Sequence, residues 1–458
     1  MNKNVLAVNA GKSVAFGLKL LNVGSGTSMP GIVARKIAPR ILSDLVNQTR
    51  REIIAVTGTN GKTTSANFIS AILKADGRKV AHNTKGANML TGVTTAMIEN
   101  ASPFAKLDVD NSVLESDEAY LQVFADYFCA DYLVVTNLFR DQLDRYGELD
   151  TTAKMIKKAI DKFKFQSYEM AHHLMNPPIF TTILNADDPV IQCLADENTV
   201  FFGFEDIKFA FEHNQTQGEV AACSCGKDFE YSKIYYGHIG HYHCSCGVKR
   251  PETYLNAKAE IFVDHSVLYL KNKVSGEEFS LEVNMPGVYN AYNALGAITL
   301  AVKMGIKPEN IKKAFEGYKT VFGRAESFVC QGKKVIVQLI KNPVGAGEVL
   351  QTVKDDKNAR ILIIINDDYA DGRDVSWLWD ANFDILQNYD KPIIVSGVRY
   401  ADMAVRLKYA GISSNNIILE KNLKKALNIA LKATNQDEKL YILPTYTALL
   451  KMQKIIKK

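Results

Sequence analysis

The sequence predicts an α/β protein: a mainly parallel, doubly wound sheet carrying a phosphate-binding loop, followed by a smaller α/β unit. Three observations carry this reading. The apolar run Ile53–Val56 passes through a Gly/Thr loop into a helical pattern with Ile69, Ile72 and Leu73 on one face. Short apolar runs then alternate with helical stretches, as parallel strands joined by helical crossovers require. A second series of the same kind begins near residue 320. At 458 residues the chain is too long for a single compact core, so two or three domains are expected.

Taken in order, residues 1–50 read as a helical extension: a helix, a Gly/Ser/Pro loop from Gly24 to Gly31, and another helix. Residues 51–319 read as the central domain, with strands at Ile53–Val56, Lys79–His82, Ser112–Glu115, Tyr132–Thr136 and Ile179–Leu184. Cysteines, glycines and aromatics interrupt the pattern at 219–252, which marks an insertion. Strand-rich sequence over Ala259–Val283 leads into a helix from Asn290 to Met304. Residues 320–458 read as the C-terminal α/β domain, with strands at Lys334–Leu339, Arg360–Ile365, Pro392–Val395 and Lys439–Leu443.

Composition narrows the function classes. Hydrophobic residues at 47% and charged residues at 23% are ordinary for a soluble globular chain. The net charge of +5 suits anionic ligands such as nucleotides, but it is spread along the chain and does not mark a nucleic-acid binder. The N-terminal segment is too broken by Asn, Lys and Gly for a membrane span or a signal core, so the expected location is the cytoplasm.

The segment IIAVTGTNGKTT (53–64) carries the most chemistry. Gly58 and Gly61 let the backbone turn tightly and aim amides at phosphate oxygens, with Thr59 and Asn60 between them. Lys62 supplies a point charge, the Thr63 hydroxyl can hold Mg²⁺, and Thr64 continues into a helix whose N-terminus favours the same anion. Val56 stands where the full Walker A pattern has its first glycine.

TGTNGKTT resembles the short phosphate loop of the Mur ligase and folylpolyglutamate synthase superfamily, and five further segments follow in the family's order. VLESDE (113–118) is similar to its second Mg²⁺ strand, which implies Glu115 as ligand with Glu118 as the alternative. TNLFRDQLDRYG (136–147) is similar to its Asn…Asp-His-x-Asp segment, with Gln142 in place of the histidine. LNADDP (184–189) and MPGVYNAYNALGA (285–297) match its Asn-Ala-Asp-Asp segment and its adenine-side helix, which implies Asn290 and Asn293 near the nucleotide. VFGRAE (321–326) matches the segment opening the third domain, which implies Arg324 at the phosphates. The implied chemistry uses ATP and Mg²⁺: a carboxylate is phosphorylated to an acyl phosphate, and an amine displaces the phosphate. Lys62 and Glu115 would carry it.

The insertion holds two Cys-x-Cys-Gly pairs, Cys223/Cys225 and Cys244/Cys246, separated by 18 residues. Facing across a hairpin, they offer Zn²⁺ four soft ligands in a structural, zinc-ribbon-like site. Each pair is one residue shorter than the usual knuckle, so His241 or His243 stands as a possible substitute. Cys129, Cys193 and Cys330 stand alone and read as core residues.

About 50 residues precede the loop, too few for a UDP-sugar domain, and LIKNPVGAGEVL (339–350) replaces the usual Asp-Tyr-Ala-His segment. With ADGRDVSW (370–377) and LPTYT (443–447), the chain is similar to the family of ligase-like subunits of lipid II isoglutaminyl synthases. That resemblance implies amidation of the D-glutamate α-carboxylate of the lipid II stem peptide, at the inner face of the membrane. It also implies a heterodimer with a GatD-like glutaminase that delivers ammonia. No Gly-framed nucleophilic cysteine occurs here, which agrees with an outside ammonia source. An Asp of the C-terminal domain would complete the partner's triad, and the candidates are Asp371, expected to project outward from its turn, and Asp374. Trp377 and Trp379 read as packing or interface anchors. The alternative is a stand-alone amino-acid ligase of Mur or folylpolyglutamate type.

Overall fold

The computed structural model describes residues 2–20, 28–84, 87–139, 149–171, 179–210, 222–318 and 324–456. The chain opens with helices α1 (Lys3–Leu20), α2 (Met29–Ile37) and α3 (Ile41–Val46). Where the sequence reading expected a loop through Gly31, that residue lies inside α2. A Cβ there would stand 2.0 Å from the Thr91 carbonyl oxygen, so its glycine serves close helix packing.

The central sheet has the order β2-β3-β1-β4-β5-β6 and every pairing in it is parallel. Its strands are β1 (Ile53–Thr57), β2 (Val80–His82), β3 (Asn111–Glu115), β4 (Tyr132–Val135), β5 (Thr181–Asn185) and β6 (Thr199–Phe202). Helix α4 (Lys62–Ala75) covers one face and α5 (Leu90–Asn100) the other. Alternate residues of β1 therefore enter different cores: Ile54 and Val56 pack with α4, Ile53 and Ala55 with α5. Burial on both faces is why these strands read as unbroken apolar runs.

A second sheet, ordered β12-β11-β10-β7, packs on the α4 side. It comprises β7 (Asp206–Phe209), β10 (Leu255–Ile261), β11 (Ser266–Asn272) and β12 (Glu278–Val283). Between β7 and β10 the insertion forms an antiparallel hairpin of β8 (Glu230–Tyr236) and β9 (Ile239–His243). The Val288–Lys303 helix then returns to the central sheet.

The C-terminal unit is a third sheet ordered β13-β14-β18-β15-β16-β17. Its strands are β13 (Arg324–Cys330), β14 (Lys333–Gln338), β15 (Ala359–Ile364), β16 (Ile393–Ser396), β17 (Ile417–Leu419) and β18 (Lys439–Pro444). Only β13 joins it antiparallel. Ile361 and Ile363 face one core while Leu362 and Ile364 face the other, so this unit too is covered on both sides.

Every strand expected from sequence falls on an observed one, shifted by one or two residues at most ends. The expected boundary at 319/320, Gln142 and the Val321–Gly323 segment lie outside the described residues. Among the single cysteines, Cys129 and Cys330 are half-buried, whereas Cys193 is exposed, contrary to the core reading. It sits on the one-turn helix Ile191–Leu194, where Ile191 and Leu194 take the inward positions.

Candidate active site

The phosphate loop leaves the carboxyl end of β1 and enters α4, which is where ligands of doubly wound sheets collect. Gly58 has φ +125° and Gly61 φ +84°, a region closed to most side chains. Space forbids a Cβ as well: at Gly58 it would meet the Thr136 hydroxyl at 2.3 Å, and at Gly61 the Asn293 carboxamide oxygen at 1.9 Å. The loop is fixed from the neighbouring strand end. Thr59 N donates to Asn137 O at 2.9 Å, Asn60 N donates to Asn137 Oδ1 at 2.9 Å, and Phe139 N donates to Thr59 Oγ1 at 3.0 Å. Thr63 and Thr64 are buried in the first turn of α4, whose amides and dipole favour an anion.

Lys62 is folded over this loop. Its ammonium donates to Gly58 O and Thr59 O and meets both Glu118 oxygens, at 3.1 and 3.2 Å. Burial pushes the Glu118 carboxyl up, and the charge of Lys62 opposes that rise, joined by Lys341 from the C-terminal unit. Glu115 is anchored through its backbone, with Asn83 bonding both its N–H and its C=O. One carboxylate oxygen receives Asn88 Nδ2 at 3.4 Å, and the other, Oε2, is buried without a partner. An unpaired buried carboxylate oxygen beside a phosphate loop is what a hard cation needs. Glu115 therefore fits Mg²⁺ better than Glu118, which Lys62 already occupies.

Asn293 lies against Gly61, and Ser65 Oγ reaches its backbone oxygen at 3.4 Å, so it belongs to the wall of the phosphate loop. Asn290 donates to Pro286 O at 2.7 Å and accepts from Asn293 Nδ2 at 3.4 Å. Arg324 begins β13, and its side chain lies outside the described residues.

The C-terminal unit closes over the loop through the segment that departs from the usual ligase pattern. Asn342 caps the Pro343–Asp355 helix by accepting from Gly345 N at 2.8 Å, and its Nδ2 donates to Asn60 Oδ1 at 3.0 Å. On the same helix Glu348 is buried, with no cation among the described residues to offset the loss of water, and its carboxyl is pushed up to about 8. Sequence reasoning missed Asn342, whose contact with Asn60 spans 282 residues, and Glu348, whose burial only the fold sets.

Glu348 makes a testable demand on stability. Its folded value lies above the ordinary 4.5, so the native chain keeps a proton that the unfolded chain has released. The stability it contributes is present below about 4.5 and is lost as pH rises toward about 8. Glu348→Gln should therefore differ little from the parent near pH 5 and exceed it at pH 8 by about 4 kcal/mol. Thermal melts at both pH values check this, and an equal difference at each would contradict it.

In the insertion, all four cysteine sulfurs lie within 4.8 Å of one another. Cys223 and Cys246 are 3.6 Å apart, Cys225 and Cys244 3.5 Å. A tetrahedron with Zn–S bonds near 2.3 Å has edges of about 3.8 Å, so the donor set fits zinc. The shortened pairs still form matched turns: Cys223 N donates to Lys227 O and Cys244 N to Val248 O, both at 2.7 Å, with Gly226 and Gly247 at positive φ. Neither alternative histidine joins them. His241 Nε2 bonds Phe204 O at 2.7 Å and His243 pairs with Glu230 at 3.3 Å.

The far end of this hairpin reaches the nucleotide site. The His238 ring packs on Phe139 at 4.5 Å, and its Nε2 lies 3.1 Å from Asp188 Oδ1. The other oxygen of Asp188 accepts from Leu138 N at 2.9 Å. Asp187 binds Arg250, Tyr292 and Phe204 N together. LNADDP is thus a brace joining the hairpin, the Val288–Lys303 helix and the segment that holds Thr59.

In the C-terminal unit Asp371 does not project outward. It is buried, and its carboxylate accepts from the Thr447 hydroxyl, Thr447 N and Asp368 N. It pins the loop to the start of the Tyr446–Ile456 helix. Asp374 is exposed and bonds only its neighbour Ser376 among the described contacts, so it is the member of the pair that a second molecule can reach. Trp377 is half-buried against the local core, while Trp379 is 53% exposed and stacks edge-on with Tyr409.

A phosphate loop with a carboxylate strand beside it, closed by a second α/β unit, defines the architecture of the Mur-type ligases. Solved structures share it: a pseudomurein peptide ligase type C from Methanothermus fervidus superposes with TM-score 0.68 at 22% identity, over 89% of this chain and 79% of that one. A Mycobacterium tuberculosis folylpolyglutamate synthase complexed with ADP gives 0.60 at 15% identity, over 92% and 94%. Residues 56–243 match the Mur ligase middle domain, and residues 339–449 match the MurT ligase C-terminal domain. Two relatives are described as lipid II isoglutaminyl synthase (glutamine-hydrolyzing) subunit MurT. That of Streptococcus pneumoniae (strain ATCC BAA-255 / R6) is 36% identical, over 99% of this chain and 97% of its own. That of Staphylococcus aureus (strain COL) is 35% identical, over 93% and 92%. The chain belongs to the MurT family.

Proposed function

We propose that this protein is the ligase subunit that amidates the α-carboxylate of D-glutamate in the lipid II stem peptide, using ATP and ammonia released from glutamine by a partner glutaminase. The observation that carries the reading is the phosphate site closed by Asn342 of a MurT-type C-terminal segment, where the usual Asp-Tyr-Ala-His segment of amino-acid-adding ligases is replaced. In the first step a carboxylate oxygen of the substrate attacks the γ-phosphorus of ATP, the bond to ADP breaks, and an acyl phosphate forms. In the second, ammonia attacks the acyl carbon, the C–O bond to phosphate breaks, and the nitrogen loses a proton to give the amide.

Loop amides 58–64 and the α4 N-terminus hold the polyphosphate, with Lys62 leaving Glu118 to meet the transferring group. Thr63 and Glu115 would hold Mg²⁺, which supplies charge neutralisation on that group. Asn290, Asn293 and Arg324 would complete the nucleotide contacts, and the four cysteines would hold Zn²⁺ as a structural ion.

The glutaminase would dock on the C-terminal unit, which carries the exposed side chains Tyr369, Trp379 and Tyr409 as well as the exposed Asp374. Asp374, in preference to the buried Asp371, would orient the partner's catalytic histidine. The purified chain with ATP, Mg²⁺ and lipid II should convert the acid to the amide when ammonium is supplied, read by mass spectrometry. Glutamine should serve only after the glutaminase is added. Asp374→Asn should abolish the glutamine-dependent reaction and spare the ammonium-dependent one, while Asp371→Asn should instead lower thermal stability. Incorporation of an amino acid, or ATP turnover without change to lipid II, would refute the assignment.

A further inference from the structure

The N-terminal helices carry a surface that nucleotide chemistry does not use. The first 43 residues contain six Lys or Arg and no Asp or Glu. Helix α1 buries Ala7, Val8 and Gly11 against the rest of the molecule. On the opposite side Phe16 is 70% exposed and Leu20 76%, one helical turn apart. Lys12 and Lys19 flank them on that same face, four residues before Phe16 and three after it. Met29, half exposed, opens the neighbouring α2, which also presents Lys36. Two large apolar side chains exposed on one face and flanked by two cations offer an anionic lipid surface both an apolar anchor and electrostatic attraction. No helix among the described residues is long and apolar enough to cross a membrane.

The surface is coupled to the reaction site. Gly31 lets α2 press on α5, with Gly31 N donating to Thr95 Oγ1 at 2.9 Å. Helix α5 begins two residues after Asn88, which touches the Glu115 carboxylate. The helical extension is therefore fixed beside the end of the sheet at which an acceptor must arrive.

We infer that α1 and the start of α2 form a docking face for an anionic lipid bilayer, with Phe16, Leu20 and Met29 entering the interface and Lys12, Lys19 and Lys36 lying on the headgroups. This deepens the functional reading above, since a lipid-linked acceptor is presented only at such a surface, but the binding itself does not depend on that reading. Bilayer phosphates, and not the acceptor's own, are the partner, so vesicles free of lipid II suffice as the probe.

The full chain should co-sediment with phosphatidylcholine vesicles containing phosphatidylglycerol, less with pure phosphatidylcholine, and less as salt rises. The double variant Phe16→Asp/Leu20→Asp should weaken that binding at least about tenfold. Both side chains are exposed, so circular dichroism should stay unchanged, and so should amidation of an acceptor lacking its lipid tail. Amidation of lipid II in vesicles should fall with the binding. Equal binding by parent and variant, or no binding by the parent, overturns the proposal. So does loss of glutaminase association with vesicle binding intact, which would make the face a protein interface. If the parent binds vesicles yet amidates neither acceptor, the docking face stands and the assigned reaction fails.

Discussion

Replacing Lys62 with alanine is expected to lower ATP turnover by at least about a thousandfold, the scale of losing a fixed charge at a transferring phosphoryl group. The variant should also lose stability for a separate reason. Glu118 is buried and faces the Lys62 ammonium at 3.1 Å, so removing the lysine takes away the one cation that its carboxylate contacts among the described residues. Breaking one side of such a pair costs about 3 kcal/mol. The two effects can be pulled apart. In Lys62→Ala/Glu118→Gln the buried charge is gone, so the melting temperature should recover while turnover does not. Lys62→Arg should not rescue either property, because a planar fork cannot occupy the place of a compact ammonium bonded to Gly58 O and Thr59 O. Turnover above a tenth of the parent in the alanine variant would mean that the loop does not carry phosphoryl transfer.

That lysine shows what the sequence disclosed. Its position was legible because Gly58, Gly61 and the β–loop–α pattern around it are local, and local geometry is written in adjacent residues. The parallel strands were legible for the same reason, each being an apolar run buried on both faces. The partner of Lys62 was not, since the sequence offers Glu118 only as the alternative to Glu115 for the metal, and the fold alone brings it within 3.2 Å of the lysine. Strands β7 and β17 were missed because the runs are short and, of their seven side chains, only Ile207 is buried. The outward projection expected of Asp371 fails for a comparable reason. An Asp before a Gly favours a turn, but whether its carboxylate points out or in is set by Thr447, more than seventy residues away. The four cysteines were read correctly as a set despite their short spacing, because soft-ligand chemistry restricts what four converging thiols can be.

Removing the metal from the cysteine cluster should therefore disturb nucleotide binding as well as the insertion. The cysteine end of the hairpin has a core of its own made only of Cys223, Phe229, Tyr242 and Cys244 with two partly buried neighbours, too little apolar surface to hold that end in place, while Tyr235, Tyr236 and Ile239 anchor the other end in the main core. A metal bound to the four converging sulfurs would supply that stability. The purified chain should carry one zinc by elemental analysis, and Cys244→Ser should lose it. Once the hairpin loosens, His238 no longer supports Phe139 and Asp188 no longer has its ring partner, so the backbone that fixes Thr59 relaxes. The apparent KM for ATP should then rise about tenfold, with hydrogen exchange increasing over residues 222–250 and 136–139 together. A variant that loses zinc and exchanges faster only within the insertion, at unchanged KM, would confine the metal's role to the hairpin. Simultaneous loosening of both segments would make the cluster a remote support of the phosphate loop.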